Sequence, residues 1–278
     1  MLALEDEKTE MRVALAEKIG ASPIEVEQAL DTTPLQQEKV AVAVAERVIQ
    51  RHGMSDDEAM RDYLQGVVDK LAAGMKVRRQ NFELVILKSR QANAFTPGGG
   101  IILVNEGLLQ LVRNEGEVAA VMAHEMAHVL LKHPQRQKQI RLASKAGSAM
   151  MDQFTPDRLR DNIGRFLRLG GNATMNGMIR QQEMMADAIA IDMLVKAGYH
   201  PRAMVDVLRS LRGLGTQMDR LNNVIYGNHP LTIDREVAAA KKIKERYQSM
   251  SGLQSTPRFD ELVKPYHRQR SKRLAQRN

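Results

Sequence analysis

Five consecutive residues, His124-Glu125-Met126-Ala127-His128, constrain this chain more than any other stretch, because the apolar pattern around them suits only a buried helix. Val118, Val121, Met122, Met126, Val129 and Leu130 recur at helical spacing, and Asn114 with Glu117 reads as a capping box at the helix start. On a helix, positions four apart share a face, so His124 and His128 turn their rings toward one point while Glu125 stands beside them. Two imidazoles and a carboxylate are costly to bury without a partner, and a single metal ion satisfies both rings at once. The pattern is also rare: a shuffled chain with these seven histidines would carry it about 0.01 times. An amphipathic helix with incidental histidines is therefore the weaker account.

The chemistry that follows is hydrolytic. Zinc lowers the pKa of a bound water to about 7, and a carboxylate within reach takes its proton as the water attacks a carbonyl. His124 and His128 are thus expected as ligands and Glu125 as the general base. A catalytic zinc usually takes three protein ligands and leaves the fourth position to water. Glu183, in Glu183-Met184-Met185-Ala186-Asp187, is the best third candidate, on a predicted helix that runs through Ile189, Met193 and Leu194 to a stop at Gly198. Asp187 shares the face of Glu183 and is expected to accept a hydrogen bond from the distal nitrogen of a ligand histidine. Alone, the two acids would read as solvated helix residues. The upstream motif reverses that reading.

At this point the sequence resembles the HtpX-like and CAAX-prenyl-protease-like family of gluzincin metallopeptidases. The resemblance rests on ordered motifs: Asn93-Ala94-Phe95 with Pro97 and Gly98-Gly99-Gly100, then Ile101 to Asn105 and Gly107-Leu108-Leu109, then the His124 to His128 pentapeptide. Downstream come Glu183 to Asp187, Ala197-Gly198-Tyr199-His200-Pro201, and Asn228-His229-Pro230 with Arg235 five residues beyond Pro230. Residues 57 to 248 are covered. Met184 and Met185 stand where the family commonly has charged residues, a departure that leaves the ligand spacing intact.

The resemblance implies an α+β, predominantly helical, zincin-like metalloprotease with a small β-sheet beside the active-site helix, holding one Zn2+ per chain. It also implies that His229 and Arg235 act late in the site, either aimed at the developing oxyanion or, for His229, seated on the metal as a fourth ligand that seals it. The expected activity is endopeptidase cleavage of unfolded or misassembled proteins; the alternative is a latent zinc protein serving as chaperone or adaptor with His229 closing the metal.

A β-rich run over Phe82 to Leu87 and a second over Ile101 to Val104 flank the turn residues Pro97 and Gly98 to Gly100. An exposed edge strand beside the metal would accept an extended peptide through main-chain hydrogen bonds, which makes Asn93, Ala94, Phe95, Gly99 and Gly100 the candidate substrate-binding residues. A plain hairpin loop is the other reading of the glycines. No Lys-Ser/Thr or dinucleotide fingerprint follows them, so they are not a phosphate cradle.

With 278 residues and 43% hydrophobic content the chain can bury one main core. The expected organisation is a helical extension over residues 1–54, a metallopeptidase domain over 55–250 and a basic tail over 251–278. Capped helix starts are read at Ser22-Pro23, at Thr33-Pro34 with a stop at Gly53, and at Ser55 and Glu58. Residues 133 to 180, rich in glycine and lying between the ligands, are read either as a lid or as packed helices. His52, His133, His200 and His267 lack ligand spacing and are read as helix-end or tail residues. The net charge of +8 gathers partly at Lys264, Arg268, Arg270, Lys272, Arg273 and Arg277, which reads as solvated rather than as a nucleic-acid surface and leaves peripheral membrane contact open. The partners expected are polypeptide substrates. The absence of cysteine excludes disulfides and thiolate ligands. No window is apolar enough to span a bilayer. Met1-Leu2-Ala3-Leu4 running into Glu5-Asp6-Glu7 lacks the features of a secretion signal, whereas the resemblance implies export; a periplasmic or cell-envelope location is expected, with the cytoplasm as the alternative.

Overall fold

A computed structural model describes residues 34–76, 82–134, 179–218, 229 and 232–276. The helix start read at Ser22, the segment 135–178 that dominates the lid reading, and Asn228 and Pro230 lie outside the described residues. Helix α1 spans Pro34–His52 and α2 Glu58–Gly74; strands β1 (Glu83–Leu87), β2 (Ala94–Gly98) and β3 (Ile101–Asn105) follow. The short α3 (Glu106–Leu109) leads into α4 (Glu115–Leu130). Helix α5 covers residues 179–196, and α6 (Ala203–Met218), α7 (Ile233–Arg246) and α8 (Pro257–Ala275) complete the architecture. It is an α+β fold dominated by helix. Among the described residues no helix is long and apolar enough to cross a membrane.

Alternation along the strands builds three layers. β1 and β3 pair in parallel from Glu83↔Ile101 to Leu87↔Asn105, and β2 runs antiparallel to β3, giving the order β1-β3-β2. Leu84, Ile86, Ile102 and Val104 point into the main core, which they share with Leu64 and Val68 of α2 and Val118 and Met122 of α4. The alternate residues Leu87 and Leu103 pack with Ala45 of α1 on the opposite face. A period of two is what a sheet covered on both faces requires.

Three local expectations are refined. The cap of α2 is Asp57, whose Oδ1 accepts from Met60 N at 2.9 Å, rather than Ser55. Pro97 and Gly98 to Gly100 read from sequence as turn residues, yet Ala94–Gly98 forms the third strand; Pro97 is tolerated because β2 is an edge, and the turn itself falls at Gly99 and Gly100, with Gly98 before them also at positive φ. Residues 257–275, read as part of a basic tail, form a helix that buries Phe259, Val263 and Tyr266 in the main core. Gly53 ends α1 as expected, at φ 76°.

Helix α4 runs through the centre, with every residue from Glu115 to His128 buried. Asn114 Oδ1 caps it by accepting from Glu117 N at 3.0 Å. The reciprocal half of the capping box is replaced: Glu117 accepts from the backbone and guanidinium of Arg113 at 2.8 and 2.7 Å. Gly107 of the preceding motif is there for contact, since a Cβ would collide with the Arg90 carbonyl.

Candidate metal centre

Helix geometry turns His124 and His128 to one side of α4, and their Nε2 atoms lie 3.0 Å apart. Helix α5 brings Glu183 against them, with its carboxylate 3.3 Å from His124 Nε2 and 3.4 Å from His128 Nε2. His229 closes the group, its Nδ1 standing 3.0 Å from each Glu183 oxygen and 3.4 Å from His124 Nε2. All four donor atoms lie within 4.8 Å of one another. A tetrahedron with metal–nitrogen bonds of about 2.0–2.1 Å has edges of about 3.3–3.4 Å, so the spacing fits one cation. Three imidazoles and a carboxylate, without a thiolate, form a nitrogen and oxygen set suited to a borderline divalent metal.

Electrostatics point the same way. Burial disfavours the charged form of His124, but Asp187 and Glu183 outweigh it and push that imidazole up to about 10. Burial, with His124 and His229 next, holds His128 far below the ordinary imidazole range. Glu183 is held well below the usual carboxylate range: burial opposes this, but hydrogen bonding to His124 and His229 prevails. Without a metal, the cluster keeps a proton where a cation fits.

The surroundings fix the donors. Asp187 Oδ1 lies 2.9 Å from His124 Nδ1, and Arg235 grips Asp187 with two bonds, Nε to Oδ2 at 2.8 Å and Nη2 to Oδ1 at 2.7 Å. A third guanidinium nitrogen reaches Glu183 at 3.0 Å. Glu125 is 2% exposed, and its Oε2 has no hydrogen-bond partner among the described residues, while Oε1 is 3.8 Å from His229 Nε2. Burial raises the Glu125 carboxyl, which favours its service as a proton acceptor.

A cavity of about 50 Å³ opens beside Glu125, lined by Leu108, Val121, Met204, Val207, Leu208 and Leu211 and by the polar His124, Glu125, His229 and Arg235. Of the candidate substrate residues, Asn93 and Ala94 line it. Phe95 packs on the α1 side of the sheet, Gly99 lies beneath Ala41 of α1, and the Gly100 carbonyl accepts from Glu83 N. The structure therefore gathers His124, Glu125, His128, Glu183, Asp187, His229, Arg235, Asn93 and Ala94, and leaves Phe95, Gly99 and Gly100 in packing positions. Sequence reasoning passed over His133, which is 1% exposed with Nδ1 2.9 Å from His128 Nδ1.

A three-layer fold carrying a pentapeptide His-Glu pair on one helix and a Glu-Asp pair on the next defines a metallopeptidase. The model of peptidase family M48 matches residues 58–244, and the chain belongs to that family. It is similar to the putative beta-barrel assembly-enhancing protease of Vibrio cholerae serotype O1, 28% identical over 234 residues that cover 79% of this chain and 45% of the relative. The metalloprotease LoiP of Escherichia coli K12 is 26% identical over 183 residues, covering 65% of this chain and 67% of LoiP. The mitochondrial metalloendopeptidase OMA1 of Arabidopsis thaliana is 31% identical over 136 residues, 49% of this chain and 27% of the relative. The chain spans less than half the length of the beta-barrel assembly-enhancing proteases it matches.

Proposed function

We propose that the chain is a zinc-dependent endopeptidase that hydrolyses internal peptide bonds of unfolded or misassembled proteins in the cell envelope. What supports this most is the convergence of four nitrogen and oxygen donors beside a buried carboxylate oxygen that has no hydrogen-bond partner among the described residues. Family membership and relatives named as proteases support the reaction class, and the name beta-barrel assembly-enhancing protease supports the envelope assignment.

In this reading His124, His128 and Glu183 hold the ion, which when bound supplies Lewis acidity and an acidified water. Glu125 takes the proton and returns it to the leaving amine, a role that suits a carboxyl already raised by burial. Asp187 orients His124. Arg235 acts through Asp187 and Glu183 as a positioning residue rather than as an oxyanion partner, because its guanidinium is turned to those carboxylates. Asn93 and Ala94, at the start of edge strand β2, receive the substrate backbone.

His229 sits in the fourth donor place, with Nδ1 3.0 Å from each Glu183 oxygen and 3.4 Å from His124 Nε2. This favours a latch: a peptide enters when His229 withdraws. The same observation favours the second reading, a latent chaperone or adaptor whose metal stays sealed. Casein degradation by zinc-loaded protein separates the two. Under the protease reading wild type cleaves slowly and His229→Ala faster; a zinc-bound wild type and a His229→Ala variant that both leave casein intact would favour the sealed adaptor.

A further inference from the structure

Helix α4 does not simply stop after its second ligand. Leu131 caps its end, and Lys132 takes a left-handed conformation at φ 55°, unfavourable for a residue with a side chain. The reversal carries His133 back along the helix, so that its ring centroid lies 4.8 Å from that of His128 and the two Nδ1 atoms are 2.9 Å apart. The His128 Nε2 atom faces the other way, into the donor cluster, 3.0 Å from His124 Nε2. An imidazole that ligates through Nε2 carries its proton on Nδ1, which must find an acceptor. For His124 the matching place is taken by Asp187, with Oδ1 at 2.9 Å. For His128 it is taken by His133.

We infer that His133 is a positioning residue of the metal site: its Nδ1 accepts the Nδ1 proton of His128 and so fixes the tautomer and ring orientation that present Nε2 to the cation. A neutral imidazole suits this place. Glu125, Glu183 and Asp187 already surround the donors, and a further carboxylate behind His128 would add another negative charge to a buried cluster. The other His128 tautomer would turn an N–H toward the cation and could not ligate.

The inference rests on His128 being a ligand, so the test separates the two. Zinc affinity is measured by chelator competition for wild type, His133→Phe and His133→Asn, with circular dichroism checking the fold. Phenylalanine keeps a ring and removes the acceptor; asparagine keeps an acceptor near the Nδ1 position. The expected result is a ~10- to 100-fold loss in His133→Phe and recovery of most of it in His133→Asn. A wild type that binds no zinc would remove the metal reading itself. Wild-type zinc binding with equal affinity in all three proteins, or an equal loss in both variants, would overturn the role given to His133. Should the variants fail to fold, 15N-histidine spectra of zinc-loaded wild type decide: a coupling between the two Nδ1 nuclei across the hydrogen bond is expected, and a His128 proton on Nε2 overturns the inference.

Discussion

Glu125 occupies a costly position, since a buried carboxylate oxygen with no hydrogen-bond partner among the described residues gives up hydration without recovering it there. Such a placement is retained where the group must accept a proton from something else. Glu125→Gln is expected to bind zinc as wild type does, because no imidazole is touched, and to lose at least ~10²-fold in hydrolysis of an unfolded substrate. Zinc content and casein turnover on one preparation check this; wild-type turnover with full zinc would remove Glu125 from the reaction. His124 yields a second expectation. Its metal-free imidazole is raised to about 10, so below that pH a proton occupies the site and must leave when the ion enters. The sign follows: raising pH removes the competitor. Zinc affinity should increase ~10-fold per pH unit between about 6.5 and 9, after correction for chelator protonation. An affinity flat across that window would mean that His124 holds no such proton.

Helices α4 and α5 supply three of the four donors, and polar ties hold α7 against α5. Arg235 at the start of α7 holds Asp187 of α5, and further along Lys242 reaches Asp192 at 2.6 Å while Tyr247 donates to Asp192 at 2.7 Å. α7 is thus tied to α5 at Asp187 and Asp192, with Arg235 at the metal end. Asp187→Asn replaces a charged acceptor with an amide between His124 and Arg235 and is expected to weaken zinc binding or activity ~10- to 100-fold at equal helicity. Indistinguishable affinity and turnover would leave Asp187 a mere helix residue. What could be read in advance follows from range. His124 with His128, and Glu183 with Asp187, repeat at four residues, so helical periodicity alone places each pair on one face. Strand β1 was legible because Leu84 with Ile86 and Val85 with Leu87 alternate. His133 was not, because its return depends on one left-handed residue, Lys132, and no periodicity encodes that. Nor did spacing reveal that Arg235 would choose Asp187, since the partner lies 48 residues away. Pro97 concealed β2, because only an edge location makes a proline admissible in a strand.

At the scale of the whole molecule, the C-terminal helix is tied to the first turn of the catalytic one. Glu115 accepts from Tyr199 at 2.6 Å, from Tyr63 at 2.7 Å, and from the backbone and hydroxyl of Thr256 at 3.1 and 2.7 Å. Burial, then Glu115, raises Tyr63 to about 12 despite the opposing Thr256 hydroxyl, so it remains a neutral donor. Gly116 N donates to Gln254 O at 2.7 Å, and His267 and Arg270 reach the carbonyls of Val112 and Gln110 at 2.8 and 3.3 Å. Helix α8 therefore braces the approach to α4 as well as covering the core. Phe259, fully buried on α8, gives a direct test: Phe259→Ala should cost about 3–5 kcal/mol by removing a packed ring. Ending the chain at residue 250 is more severe. It withdraws Phe259, Val263 and Tyr266, each contributing about 1.5–3 kcal/mol, and both Thr256 donors, leaving Glu115 buried with fewer partners. A loss of that size matches the whole stability of an ordinary domain, about 5–15 kcal/mol. Residues 1–250 are thus expected to lack a cooperative thermal transition and to bind zinc weakly, although every proposed ligand lies upstream of the cut. Thermal unfolding and chelator competition on the two chains check this; a shortened chain with the melting temperature and zinc affinity of the full one would make α8 an appendage rather than part of the catalytic fold.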